Sequence, residues 1–319
     1  MKTELASKIL EGNVPAAARL MRHLEDEAPD AVEELNSIYP HTGRAYIVGV
    51  TGAPGVGKST IIDNLIGIFR RENMTVGVIA TDPTSPFTGG AILGDRVRMQ
   101  KHSTDKDVFI RSLATRHWAG GLSKATVSTI HVMDAMGKDI ILVETVGTGQ
   151  ADINIARVAD TSIIILTPGM GDEIQMMKAG ILEAADIFVI NKADRDGADN
   201  LRMELEVMLG MRAPLPSKWK PGIVLTEATL SKGTEELAKE IFRHKEFLTS
   251  SGELKQRRKQ RAKLELIETM EGLLKNYINH GIDKDDYLEK LAEDLVQRKT
   301  NPHSAALNII KRFNWFPSR

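Results

Sequence analysis

The apolar positions change period twice along the chain. From Leu5 to Tyr39 they recur at three- and four-residue intervals (Leu20, Met21 and Leu24; Val32, Leu35 and Ile38), and Pro15 and Pro29 stand where helices begin. This predicts an N-terminal helical segment over 1–40. After Pro40-His41-Thr42-Gly43 short β-branched runs take over: Ala45–Val50, Val76–Ala80, Ile140–Val143, Ser162–Leu166, Ile187–Ile190 and Ile223–Thr226, separated by helical patterns. Runs that are apolar on both faces and alternate with helices predict a mostly parallel, doubly wound α/β domain over 41–248. From 249 to 319 the strand pattern stops. Leu264, Ile267, Leu274, Tyr277 and Ile278 mark one helical face, Leu288, Leu291 and Leu295 another, and Asn301-Pro302 opens a last helix carrying Leu307, Ile310 and Phe313. Such helices bury little among themselves, so they are expected to pack on the α/β domain or on a second copy of the chain.

Chemistry enters through the junction between the first strand and the next helix. Gly52-Ala53-Pro54-Gly55-Val56-Gly57-Lys58-Ser59-Thr60 satisfies GxxxxGK[ST] in the strand-then-helix context that a phosphate-binding loop requires. Glycines let backbone amides wrap a polyphosphate, and the helix N-terminus adds a favourable dipole. Lys58 is placed to reach the β and γ phosphates, and the Ser59 hydroxyl to ligate Mg²⁺. Downstream, Asn191-Lys192-Ala193-Asp194 follows the strand Ile187–Ile190 and matches the guanine-reading NKxD. A carboxylate accepts from both N–H donors on one edge of guanine, whereas adenine presents an acceptor there. Asn191 is expected to tie the base segment to the phosphate loop and Lys192 to cover the ring.

Three acidic residues are candidates for the metal and its water: Asp82 in TDPTSP, Asp95 in GGAILGDRVRM and Glu144 in ETVG. Asp82 and Glu144 fall at the carboxyl ends of strands, where ligands gather in doubly wound sheets. The glycine-laced loops Thr88-Gly89-Gly90 and Gly147-Thr148-Gly149-Gln150 have the character of switches ordered by a γ-phosphate.

Composition narrows the field. With 42 basic and 43 acidic residues and a net charge of -1, the whole chain is neither a polybasic nucleic-acid binder nor an acidic tail. It contains no cysteine, so disulfides, thiolate metal sites and a cysteine nucleophile are excluded, and a cytoplasmic location is expected. The start shows no secretory h-region, and no apolar run approaches the ~20 residues of a membrane span. Lys255, Arg257, Arg258, Lys259, Arg261 and Lys263 form a basic run without interleaved aromatics, read as a solvated helix face with no nucleic acid bound. His102, His117 and His131 have no metal-ligand spacing.

Taken together, GAPGVGKST, DPTSPFTGGAILGDRVRM, ETVGTGQ, PGMGDEIQ and NKAD, in this order and spacing, resemble the MeaB/ArgK family, the GTPase chaperones associated with methylmalonyl-CoA mutase. The resemblance implies a P-loop NTPase fold of the SIMIBI class with N-terminal helices and a C-terminal helical extension that forms a homodimer. It also implies GTP/GDP and Mg²⁺ as ligands and slow GTP hydrolysis stimulated by an acyl-CoA mutase. The partner's adenosylcobalamin loading would be gated and the mutase protected. Residue by residue, it places Lys58 and Ser59 on phosphate and metal, and Asp82, Asp95 and Glu144 in the Mg²⁺ and switch apparatus. Asn191, Lys192 and Asp194 read guanine, and Lys178 in PGMGDEIQMMK supports stimulated hydrolysis. The base-contacting serine-alanine pair of the family stands here as Glu227-Ala228, and ETVGTGQ has Thr148 where valine is usual. Two other activities compete: an ArgK-like kinase or ATPase that phosphorylates a protein or arginine, and a metal-insertion GTPase.

Overall fold

The computed structural model describes residues 4–26, 28–82, 99–102, 104–114, 124–145, 154–169, 182–211, 219–278 and 287–312. Within them seven parallel strands form one sheet in the order β3-β2-β4-β1-β5-β6-β7. They are β1 (Tyr46–Thr51), β2 (Val76–Asp82), β3 (Val108–Ala114), β4 (Ile140–Glu144), β5 (Thr161–Leu166), β6 (Ile187–Asn191) and β7 (Gly222–Thr226). Six of them coincide with the β-branched runs; β3 is an addition. It is one of the two edge strands, and Arg111 and Ser112, both half-buried, interrupt its apolar residues, so it lacks the unbroken apolar run by which the others are recognised.

Side-chain alternation divides each strand between two cores. Val48, Val50, Leu142, Ile163, Ile165 and Val189 face α4 (Lys58–Arg71) and α7 (Thr234–Ser250), packing on Ile62, Leu65, Phe69, Leu237 and Ile241. Ile47, Ile79, Ile141 and Val143 face the other way, toward Ile130 and Met133 of α5 (Lys124–Ala135), behind which lie α1 (Glu4–Leu10), α2 (Val14–Glu25) and α3 (Ala31–Ile38). The N-terminal helices start as their caps dictate: the Asn13 side chain accepts from the Ala16 amide at 2.9 Å, with Pro15 in the first turn of α2. α6 (Ala198–Met211) closes a third apolar cluster over Ile164, Phe188 and Ile190.

β1 is central. The chain leaves it toward β2 on one side, returns through β4, and later continues through β5 on the other. This makes the carboxyl end of β1 a topological switch point, where a crevice opens between loops that diverge.

A second polar centre lies at the opposite, amino-terminal end of the strands. The Tyr46 and Thr161 hydroxyls are 2.6 Å apart, and Thr161 Oγ1 is 2.8 Å from His244 Nδ1. The Asp186 carboxylate accepts from the Ser162 amide and from both terminal nitrogens of Arg257, at 2.9–3.0 Å. Arg258 donates to Asp160, whose Oδ2 also accepts from the Ile47 amide at 3.0 Å. Arg257 and Arg258 therefore do not belong to a solvated basic face, contrary to the sequence expectation. Facing two buried carboxylates, their guanidiniums supply the countercharge that those carboxylates need inside the protein.

The chain divides into two compact units, Met1–Arg258 and Lys259–Arg319. α8 (Glu253–Tyr277), α9 (Tyr287–Val296) and α10 (Pro302–Arg312) make up the C-terminal part; the Ser304 amide donates to Asn301 Oδ1 at 2.9 Å, capping the last helix. Leu266, Met270 and Leu273 of α8 are more than half exposed. Among the described residues no helix is long and apolar enough to cross a membrane.

Candidate nucleotide site

The crevice at the carboxyl end of β1 holds a cavity of about 460 Å³. It is lined by the phosphate-loop residues Pro54, Gly55, Gly57, Lys58, Ser59 and Thr60 and by Glu144, Asn191, Lys192, Asp194, Glu227 and Ala228, residues scattered over most of the chain that the parallel sheet brings to one edge. Gly52, Ala53 and Val56 complete the loop between β1 and α4.

Two of its glycines are required by position. Gly52 has φ 143°, and a Cβ there would lie 2.3 Å from the Ile165 carbonyl oxygen of β5. Gly57, with φ 101°, precedes α4, and a Cβ there would stand 2.3 Å from Asn191 Nδ2. Only hydrogen at both positions lets the loop nest between β5 and β6.

Asn191, the last residue of β6, is buried and serves as a hub. Its Nδ2 donates to the Val56 carbonyl at 2.7 Å, while its Oδ1 accepts from Thr226 Oγ1 at 3.0 Å and from the Ala228 amide at 3.1 Å. One amide group thus joins the loop between β1 and α4 to the end of β7 and the turn after it. Lys192, at φ 57°, turns back so that its Nζ donates to the Gly55 carbonyl at 2.8 Å. Lys192 and Asp194 both line the cavity.

At the phosphate end, Lys58 is buried and its Nζ donates to the carbonyls of Gly52 (2.8 Å) and Ala53 (3.2 Å). This holds the ammonium over the loop. Ser59 Oγ donates to Glu144 Oε1 at 3.0 Å, bringing a hydroxyl and a carboxylate together beside the loop. An all-oxygen pair suits Mg²⁺, which keeps waters and substrate phosphates as its other ligands and needs few protein groups. No group of three or more histidine or acidic side chains suited to hold a metal occurs among the described residues.

Asp82 ends β2 at the same edge of the sheet, one residue after Thr81 of the cavity wall; its side chain, Asp95 and Lys178 lie outside the described residues. Sequence reasoning passed over Thr81, Thr145 and Thr229, which also line the cavity, and Thr226, which donates to Asn191. Thr81 and Thr145 carry one available signal: they adjoin Asp82 and Glu144 at strand ends.

The family described as Methylmalonyl Co-A mutase-associated GTPase MeaB matches residues 17–282. A GTPase-named protein of Pyrococcus abyssi is 48% identical over 313 residues, 98% of this chain and 96% of that protein. GTPase ArgK of Escherichia coli is 33% identical over 305 residues, 93% and 91% of the two chains. The solved structure titled LAO/AO transport system kinase shares the fold with a TM-score of 0.71 at 27% identity, covering 98% of this chain and 97% of that one. Such relatives cover more than nine-tenths of the chain, which is a GTPase and belongs to the MeaB family.

Proposed function

We propose that the chain is a GTP-driven chaperone of an adenosylcobalamin-dependent acyl-CoA mutase, methylmalonyl-CoA mutase or a near relative, gating cobalamin loading and protecting the loaded enzyme. The observation that carries this reading is the Asn191 hub: base and phosphate contacts share one rigid frame, so the presence of a γ-phosphate is signalled by the loops around it rather than by the frame itself. The partner's chemistry rests on the family's association with the mutase.

In the hydrolytic step, water attacks the γ-phosphorus and GDP leaves. Lys58, moving from the Gly52 and Ala53 carbonyls onto the phosphates, and the amides at the start of α4 stabilise the charge that develops on the phosphoryl oxygens. Ser59 and Glu144 would hold Mg²⁺, which when bound neutralises charge on the β and γ phosphates. Asp82 and Asp95 belong to this proposal as further metal or switch groups. Lys178 enters as the residue through which the mutase stimulates a low intrinsic rate. A homodimer through the C-terminal helices accounts for the exposed apolar positions of α8.

The test is GTP hydrolysis by the full chain with and without the adenosylcobalamin-dependent acyl-CoA mutases of its own cell, following labelled γ-phosphate. A several-fold rise with one of them, the label released as free phosphate, is expected. Label on a protein or on arginine would favour the kinase reading, and no rise with any such mutase would remove the partner from the proposal.

A further inference from the structure

The guanine-side loop after β7 is closed on itself. Glu227 and Lys232 exchange two backbone hydrogen bonds, at 3.1 and 3.3 Å, and their side chains pair at 3.1 Å. Between them Ala228–Leu230 form a 3₁₀ turn and Ser231 is left-handed, with φ 56°. Glu227, Ala228 and Thr229 of this lariat line the nucleotide cavity. A closed lariat fixes its own shape but not its distance from the phosphate loop.

That distance is set by contacts from outside. Asn191 takes the Ala228 amide. The Ala228 carbonyl is taken by a residue that no motif includes: Asn64, on the second turn of α4, donates from Nδ2 at 2.7 Å, while its Oδ1 accepts from Ser231 Oγ at 3.2 Å. Ala228 is thus held at both polar groups by two asparagines, one at the end of β6 and one on the helix whose N-terminus begins with Lys58 and Ser59. Asn64 is half-buried and spends both ends of its amide on the lariat.

We infer that Asn64 is a positioning residue for the nucleotide base: it fixes the guanine-side lariat to the phosphate-loop helix, and so sets the span between base and phosphates. The inference rests on the guanine-nucleotide reading of the cavity. Removing the amide frees the Ala228–Ser231 turn while leaving the phosphate loop and its Asn191 brace in place. Affinity for ligands that use both ends of the cavity falls; affinity for ligands that use only the phosphate end does not.

The experiment measures GDP binding, competition by inorganic tripolyphosphate, and GTP turnover for wild type, Asn64→Ala and Asn64→Asp. Aspartate keeps the shape and the Ser231 contact but cannot donate to the Ala228 carbonyl, and it serves if the alanine variant fails to fold. In both variants the GDP dissociation constant should rise about 5- to 10-fold and KM for GTP with it, the loss of roughly one hydrogen bond. Tripolyphosphate inhibition and kcat should stay within about twofold. Unchanged GDP affinity overturns the inference, as does an equal loss for GDP and tripolyphosphate, which marks a general structural role. A wild type that binds GDP no better than tripolyphosphate would instead overturn the guanine reading, and the Asn64 assignment with it.

Discussion

Replacing Asn191 tests the central geometric claim, that one side chain holds phosphate loop and base segments together. In Asn191→Ala three buried groups lose their partner at once: the Val56 carbonyl, the Thr226 hydroxyl and the Ala228 amide, at present 2.7, 3.0 and 3.1 Å from the asparagine. An unsatisfied buried polar group costs about 1–3 kcal/mol. The cavity beside them admits water, which favours the lower figure, so the sum is about 3 kcal/mol. Asn191→Asp sharpens the test because it keeps both accepted hydrogen bonds and changes only the group facing Val56. There it sets a carboxylate oxygen 2.7 Å from a carbonyl oxygen, turning one attraction into a repulsion of about 2 kcal/mol. Thermal unfolding followed by circular dichroism should show Tm lowered by about 6 °C or more in the alanine variant. GDP titration should show affinity reduced by as much as ~100-fold, since about 1.4 kcal/mol is tenfold. An alanine variant within a degree of wild type and binding GDP within twofold would refute the hub. An aspartate variant indistinguishable from wild type would refute the Val56 contact.

Two other outcomes follow from single groups. Asp194→Asn presents a donor where guanine offers its own, so GDP should weaken by at least ~10-fold while xanthosine diphosphate gains, measured as the ratio of the two dissociation constants; an unmoved ratio would detach Asp194 from the base. His244 is held neutral chiefly by burial, against the opposing charge of Asp186 and with Arg257 alongside, and its pKa is lowered to about 4 from 6.5. A lowered value means that the folded state binds fewer protons, so this contribution to stability is complete above pH 6.5 and is lost as pH falls toward 4. It amounts to about 3 kcal/mol. His244→Gln should flatten that part of the Tm against pH curve, and parallel curves for the two proteins would contradict the assignment.

Most of the strands that could be read from sequence, β1, β4, β5 and β6 among them, are buried along their whole length, where burial forces an unbroken apolar run; β7, at one edge of the sheet, is half-buried but still carries Ile223, Val224 and Leu225 in succession. β3 escaped since an edge strand tolerates Arg111, whose guanidinium pairs with Glu25 of α2 at 2.5 Å. The site was legible where the chemistry is local: the loop from Gly52 to Thr60 and NKAD each hold their information within a few residues. The rest depends on partners far away in sequence. Asn64 has the texture of an ordinary polar helix position, and its bond to Ala228 spans 164 residues. Arg257 and Arg258 sit in a run of like charges and reveal nothing of Asp186 and Asp160, 71 and 98 residues earlier.

β6 is five residues long, buried throughout, and pinned at both ends: Asp186, just before it, by two arginine nitrogens and a backbone amide, and Asn191, its last residue, by three hydrogen bonds. A strand held in this way opens only when the sheet itself unfolds, so its amides belong to the slowest class in hydrogen exchange. On the proposed reading, the guanine docks against this fixed strand end. Whatever moves when GTP becomes GDP would then move around a stationary base, and the work of the cycle would fall to the segments that meet the γ-phosphate.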